Sequence, residues 1–349
     1  MLTATGTLKL ARVNFVCRSC RSGAHPADER LGIEGFTSRQ AQRLLSLAGA
    51  SWSFDKSAEH LQEFCGLVVS DNTIRDVCQR QGARMAQWQR DDAAAHEKFR
   101  KATGDVEFTS DGTCVNTWEG WREMRIGIFS KRHRGEAADA DSWDTRKLPA
   151  PHVRVAFAAI ENSERFGSRW GRWRSRLGIR DTSGISVLAD GARWIWEEVS
   201  MHLAGASETL DIYHALEHVS QTAHTLYGEG AEGAACTERC RNHLLRGGWV
   251  RIEAELNQAR VQHRKRAQRE ALERLTNYLG QNQQRLNYPQ RLADGQAIGS
   301  GQVEGACKHM IGRRLKQTGA RWRVRRVNRM AAVCSLLYSD HWDTYWSRN

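Results

Sequence analysis

No stretch of this chain approaches the roughly 18 consecutive apolar residues that a membrane-spanning helix needs, and its first segment lacks the apolar core of a signal peptide. A soluble, intracellular, cytoplasmic protein is expected. An even cysteine framework is missing too: nine cysteines are scattered over 349 residues, which argues against a disulfide scaffold and leaves buried thiols or metal ligands. Acidic charge is in deficit, with 40 Asp and Glu against 52 Lys and Arg and a formal net charge of +12. A surplus of that size favours a polyanion as partner, either nucleic acid or an anionic membrane surface. What the chain does have in quantity is tryptophan. Several of the 13 lie beside arginines, as in WGRWR and ARWRVRR, a pattern that suits base stacking and phosphate contact and suits simple burial equally well.

The chain begins with a short cysteine-containing segment, 1–35. Cys17 and Cys20 lie in FVCRSC, with His25 five residues on. Such a pair is half of a zinc ribbon, and the second half is absent, so two thiols in a turn is the leading reading and a zinc site at Cys17 and Cys20 the lesser one. Residues 36–100 read as a helical domain. Arg39–Ala48 carries Leu44, Leu45 and Leu47; Ala58, Leu61 and Phe64 follow Ser53; Gly66 breaks the helix; and Ser70 caps a third helix with Ile74 and Val77. That outline fits a helix-turn-helix and equally a small three-helix bundle. In the first case the helix from Asp71 to Gln81 enters DNA, with Asn72, Thr73, Arg75, Gln79 and Arg80 exposed. Residues 89–104 read as a solvated helix.

From there the period changes to two, in Val106 and Phe108, in Met124, Ile126 and Ile128, and in Val153, Val155, Phe157 and Ala159. Three antiparallel strands are expected, with an exposed loop and a disordered tip over 131–149. A helix from Ser163 to Leu177 follows. Then comes strand Ile185–Ala189, helix Ala192–Leu203, strand Leu210–Ile212 and helix Tyr213–Leu226, an alternation that adds two parallel strands to the sheet. Residues 229–290 read as an inserted all-helical subdomain containing the basic run HRKR at 263–266. The last segment, 291–349, contains IGSGQVEGACK from Ile298 to Lys308. There Ser300 is expected to cap a helix with Glu304 in its first turn. Nine Lys or Arg residues then fall between Lys308 and Arg329.

Asp111 in SDGT and Asp190 in ADGA each follow a short apolar stretch and precede a glycine, which places a carboxylate at a strand end. Glu304 alone is explained by the helix dipole. Together, two carboxylates on neighbouring strands and a third on a helix can hold two divalent metals that clamp the attacking and leaving oxygens of a phosphodiester, work that suits magnesium.

The order SDGT, VLADGARWIW, LDIYHALEH, IGSGQVEGACK, RW and a terminal WDTYW resembles the bacterial insertion-sequence transposases of the ISKra family, from about Cys17 to Trp346. The resemblance implies an α/β chain: an RNase H-like mixed-sheet catalytic core (101–228 and 291–349) with an all-α insertion, preceded by the helical amino-terminal domain. It implies a DNA transposase with a DDE triad of Asp111, Asp190 and Glu304 that bind two magnesium (or manganese) ions. It also implies a homodimer or larger assembly on the DNA of the element ends and target, hence nucleoid association. The D-x2-H spacing of Asp211 and His214 is similar to a motif that related inserted-domain transposases carry after the second aspartate, and it marks auxiliary active-site candidates. The alternative for this pair is a helix N-cap with a partnered histidine. His218 is expected to be structural. Lys308, Arg313, Arg314, Lys316 and Arg321 are candidates for gripping phosphate. The abbreviated cysteine module departs from the family pattern. Rival functions are a non-catalytic DNA-binding regulator derived from a transposase, and an RNase H-like nuclease.

Overall fold

The computed structural model describes residues 1–33 and 35–348. Two short ribbons come first, β1 (Leu2–Thr3) with β2 (Gly6–Thr7) and β3 (Phe15–Val16) with β4 (Gly23–Ala24), followed by α1 (Pro26–Arg30), α2 (Arg39–Ser51), α3 (Phe54–Cys65), α4 (Asp71–Asp91) and α5 (Ala94–Lys101). Next are β5 (Asp105–Thr117), β6 (Gly120–Arg132), β7 (Val153–Ala159), α6 (Ser163–Arg176), β8 (Ile185–Ala189), α7 (Arg193–His202), β9 (Ser207–Leu210) and α8 (Ile212–Tyr227). The rest is helical: α9 (Ala231–Gln262), α10 (Arg266–Gln281), α11 (Tyr288–Ala293), α12 (Gly301–Ala306), a π-helical turn over Cys307–Gly312, α13 (Arg313–Leu315), α14 (Val324–Tyr338) and α15 (Trp342–Arg348). No helix among the described residues is long and apolar enough to cross a membrane.

By contact the chain divides into two compact units, one of Met1–Ala95, Cys114–Glu123 and Lys308–Asn349, the other of His96–Thr113 and Met124–Cys307. The carboxy-terminal residues from Lys308 onward thus group with the amino-terminal helices, where the sequence suggested the last part of the sheet domain. Packing explains the grouping. On α4, Gly82 lies so close to the Arg329 carbonyl that any Cβ would overlap it, and the Gln79 amide donates to the Arg326 carbonyl at 3.2 Å. Met85 and Trp88 pack with Val333, Leu336, Tyr345 and Trp346 in one buried cluster, and α2 and α3 complete the unit. Ser38 and Ser70 cap α2 and α4, each accepting a backbone N–H at 3.2 Å. The third helix does not stop at Gln81 but runs to Asp91. The solvated helix expected over 89–104 is a correction as well, because α5 buries Ala95 and Phe99 fully.

The second unit is built on a mixed α/β sheet of order β7-β6-β5-β8-β9. β6 and β7 are antiparallel; a two-residue connection forces the same on β5 and β6; β8 joins β5, and β9 joins β8, in parallel. Phe108, Phe129, Val155 and Phe157 from the sheet bury against Phe166, Trp170 and Trp173 of α6 and Ile195 and Val199 of α7. Both tryptophans of WGRWR are therefore core residues. A second cluster joins α8, α9, α10 and α11. The stretch expected to be an exposed loop is tied into it: Ala140 and Trp143 are buried there, Arg241 lies 5.8 Å from the Trp143 ring, and Asp141 pairs with Arg246. An indole in a polar stretch supplied enough apolar surface to fold the loop down.

Candidate functional site

Strand register brings two aspartates together. All five residues of β8 are buried, so the strand ends where the apolar run ends, and Asp190 is the next residue. Ser110 of β5 pairs with Ala189, which puts Asp111 and Asp190 at the same level on adjacent parallel strands and, by the alternation of side chains, on the same face. Asp111 was expected at a strand end. It lies instead within β5, which continues to Thr117 past the end of its partner. Its Oδ1 accepts the Gly112 N–H at 2.6 Å, and the Asp190 Oδ1 accepts the Ala192 N–H at 3.0 Å. Burial, and then the like charge of Asp190, push the Asp111 carboxyl above the usual range, partly offset by the Gly112 amide, Cys307 and His214. After Asp190 only glycine fits, since a Cβ on Gly191 would overlap the Tyr278 ring. That phenol packs against the His218 ring in a tilted arrangement, centroids 4.0 Å apart. Burial lowers the pKa of His218 and raises that of Tyr278.

The helix with Glu304 is short, and its start differs from expectation. Ser300 occupies the N-cap position but makes no side-chain cap. Its hydroxyl and backbone N–H both donate to Oδ2 of Asp211. Glu304 stands exposed in the first turn. Three residues on, hence on the same side of the helix, the Cys307 thiol donates to Asp111 Oδ2 at 3.5 Å. Cys307 was not singled out in the sequence, although its spacing from Glu304 was a usable signal. Among the described residues, no three His, Cys, Asp or Glu side chains stand close enough together to hold one metal ion. Asp111 and Asp190 form a pair, and Glu304 is one helical turn from the contact that reaches them.

Asp211 is buried, 3% exposed. Its Oδ1 caps α8 through the N–H groups of Tyr213 (2.6 Å) and His214 (3.2 Å), and its Oδ2 is taken by Ser300. These bonds assign Asp211 a capping and tethering role. His214 is partly exposed, 3.8 Å from Glu217, and near enough to Asp111 for its charge to favour that carboxylate.

In the other unit, the expected DNA-contacting side chains fare unevenly. On α4, Asn72 and Arg80 are exposed, Thr73 shares a hydrogen bond with the Ser70 hydroxyl at 2.9 Å, and Arg75 binds Asp76 at 3.1 Å. Gln79, expected to be exposed, is 7% exposed, because α14 covers it. Lys308, Arg313, Lys316 and Arg321 are exposed, and Arg321 lies 4.8 Å from the Trp118 ring. Arg314 is a correction: it is 3% exposed, lies 4.7 Å from the Phe54 ring and 5.0 Å from the Trp322 ring, and donates to the Gly49 carbonyl at 2.5 Å. It is a core strut and cannot reach a phosphate. Cys17 and Cys20 lie exposed in the β3–β4 turn, each sulfur beside a serine hydroxyl at 3.2 and 3.0 Å. Hydrogen bonds from Cys20 and Ser19 lower the Cys17 thiol to about 6.

Compared with known proteins, the chain matches no family model and no curated protein.

Proposed function

We propose that this protein is a DNA transposase of the DDE kind, with an RNase H-like core that hydrolyses a phosphodiester at the ends of a mobile element and joins the freed 3′-hydroxyl to target DNA. The observation that carries this reading is the pairing of Ser110 with Ala189, which sets Asp111 and Asp190 side by side while Cys307 holds the Glu304 helix against Asp111. Two like charges packed together, one with its carboxyl raised by burial and by the other, form a hard-oxygen donor set that fits a divalent cation. Asp111 and Asp190 would hold magnesium or manganese, two ions per site once Glu304 contributes, and the metal supplies a Lewis acid for the attacking and leaving oxygens. On this reading His214, whose charge reaches Asp111, would contact the phosphate, and Asp211 caps the helix that carries it. Element ends must be cut in pairs, so a homodimer or larger assembly on DNA belongs to this reading, as do nucleoid association and a helix-turn-helix role for the first helices.

The rival reading is a non-catalytic DNA-binding regulator derived from a transposase. The deciding experiment is strand cleavage, with Mg²⁺, of a plasmid carrying the native flanking ends, wild type against Glu304→Gln. Glutamine keeps the shape and removes the charge. Equal DNA binding with cutting lost only in the variant supports the transposase; no cutting by either, or cutting by both, overturns it. Recovery of joined donor and target strands separates a transposase from a simple nuclease.

A further inference from the structure

The amino-terminal unit holds a cleft of about 450 Å³ between α4 and α14, lined by Asp76, Gln79 and Arg80 from the first helix and by Arg323, Arg325, Arg326 and Arg329 from the second. The lining holds five guanidinium groups and one carboxylate, and that carboxylate also binds Arg75 at 3.1 Å. Four of the five arginines are exposed, and Arg329 is half-buried. Their position runs against helix electrostatics. α14 has no acid in its first turn, yet Arg325 and Arg326 sit there and Arg323 is its N-cap, where the free N–H groups already carry partial positive charge. Cations at that end are disfavoured by the helix itself, and an anion in the cleft would relieve both repulsions.

We propose that the α4–α14 cleft binds the phosphate backbone of duplex DNA; the naming of DNA as the anion rests on the transposase reading. The planar fork of arginine matches phosphate oxygens in pairs. Gln79 spends its amide N–H on the Arg326 carbonyl, so the charged groups that the cleft offers an anion are guanidiniums, whose contacts to phosphate contribute affinity and register. The cleft also takes over the role first given to Arg314, whose guanidinium is in the core.

The test is salt-dependent binding of the full chain to duplex DNA of unrelated sequence, comparing wild type, Arg325→Gln/Arg326→Gln and Arg325→Lys/Arg326→Lys. Each lost phosphate contact reduces the slope of log K against log salt by about 0.9. The glutamine pair should lower it by about 2 and weaken binding by roughly 10- to 100-fold at 0.1 M salt, and the lysine pair should keep most of the slope. Equal melting temperatures check that the exposed substitutions leave the fold intact. An unchanged slope in a glutamine variant that still binds and cuts DNA overturns the cleft alone. A wild type that binds no duplex overturns the transposase reading with it. Displacement of the DNA by inorganic phosphate, but not by chloride at equal ionic strength, would reassign the cleft to a free phosphate.

Discussion

Replacing Asp111 with asparagine should make the metal-free protein more stable at neutral pH, the reverse of the usual effect of removing a buried polar group. The folded-state pKa of Asp111 is raised, first by burial and then by Asp190. A carboxyl of that kind stabilises the fold while protonated, below its unfolded value near 4, and that contribution is lost as pH rises through the raised folded value. Burial and the neighbouring carboxylate both oppose its ionised form. Asparagine retains an acceptor for the Gly112 N–H at 2.6 Å and gives up only the weak thiol bond at 3.5 Å. The metal-free variant should therefore melt above the wild type at pH 7, each kcal/mol gained raising the midpoint by about 2 to 4 °C for a unit of roughly 200 residues. Magnesium at ten times its dissociation constant should stabilise the wild type by about 1.4 kcal/mol and the variant much less. Thermal melts between pH 4 and 8, in chelator and in magnesium, measure both. An Asn variant that melts below the wild type at pH 7 in chelator, or that gains as much from magnesium, would refute the paired-carboxylate account.

Arg314→Ala should cost about 3 kcal/mol or more in denaturant unfolding, because two ring contacts and the bond to the Gly49 carbonyl are lost together, and the salt slope of DNA binding should stay as it was; a folded variant with a reduced slope would return Arg314 to the phosphate-binding set. Asp211→Ala should destabilise by about 2 to 4 kcal/mol, since one side chain caps α8 and holds Ser300, and Asp211→Asn by less; equal losses from both would mean that the Oδ1 cap, which asparagine keeps, contributes nothing. Alkylation of Cys17 should rise through a midpoint near pH 6, followed by mass spectrometry of the modified peptide, and a midpoint above 8 would show that the turn does not hold the thiolate.

The sheet was legible because its signals are local. Alternation in Val106 and Phe108, the apolar run before Asp190 and the strand–helix alternation after it lead to three antiparallel and two parallel strands, and Ser70 marks where α4 begins. What could not be read are the outcomes decided by residues far apart in the chain. Counting charges between Lys308 and Arg329 treats every arginine alike. Burial of Arg314 depends on Phe54 and Gly49, some 260 residues earlier, and the inward turn of Gln79 on a carbonyl of α14. Likewise a tryptophan in a charge-rich stretch gives no local sign of the pocket that will receive it, so the segment around Trp143 passed for an open loop. Contact order, not composition, separates the arginines that hold the fold from those that line the cleft.

The same reasoning bears on Glu304. An acid in a first helical turn has a sufficient explanation in the helix dipole, and in a long helix nothing more would follow. But α12 has six residues, too few to build up much of a dipole, and it is fastened to the sheet domain along its whole length: Ser300 to Asp211, Gln302 to Glu107 and Ser130 at 2.8 and 3.0 Å, and Cys307 to Asp111. Three tethers on so short an element fix its position more tightly than stability of the helix requires. They leave Glu304 as its exposed carboxylate, one turn from the thiol that touches Asp111. On the proposed transposase reading, that rigidity is what a site presenting an acid to a charged substrate needs.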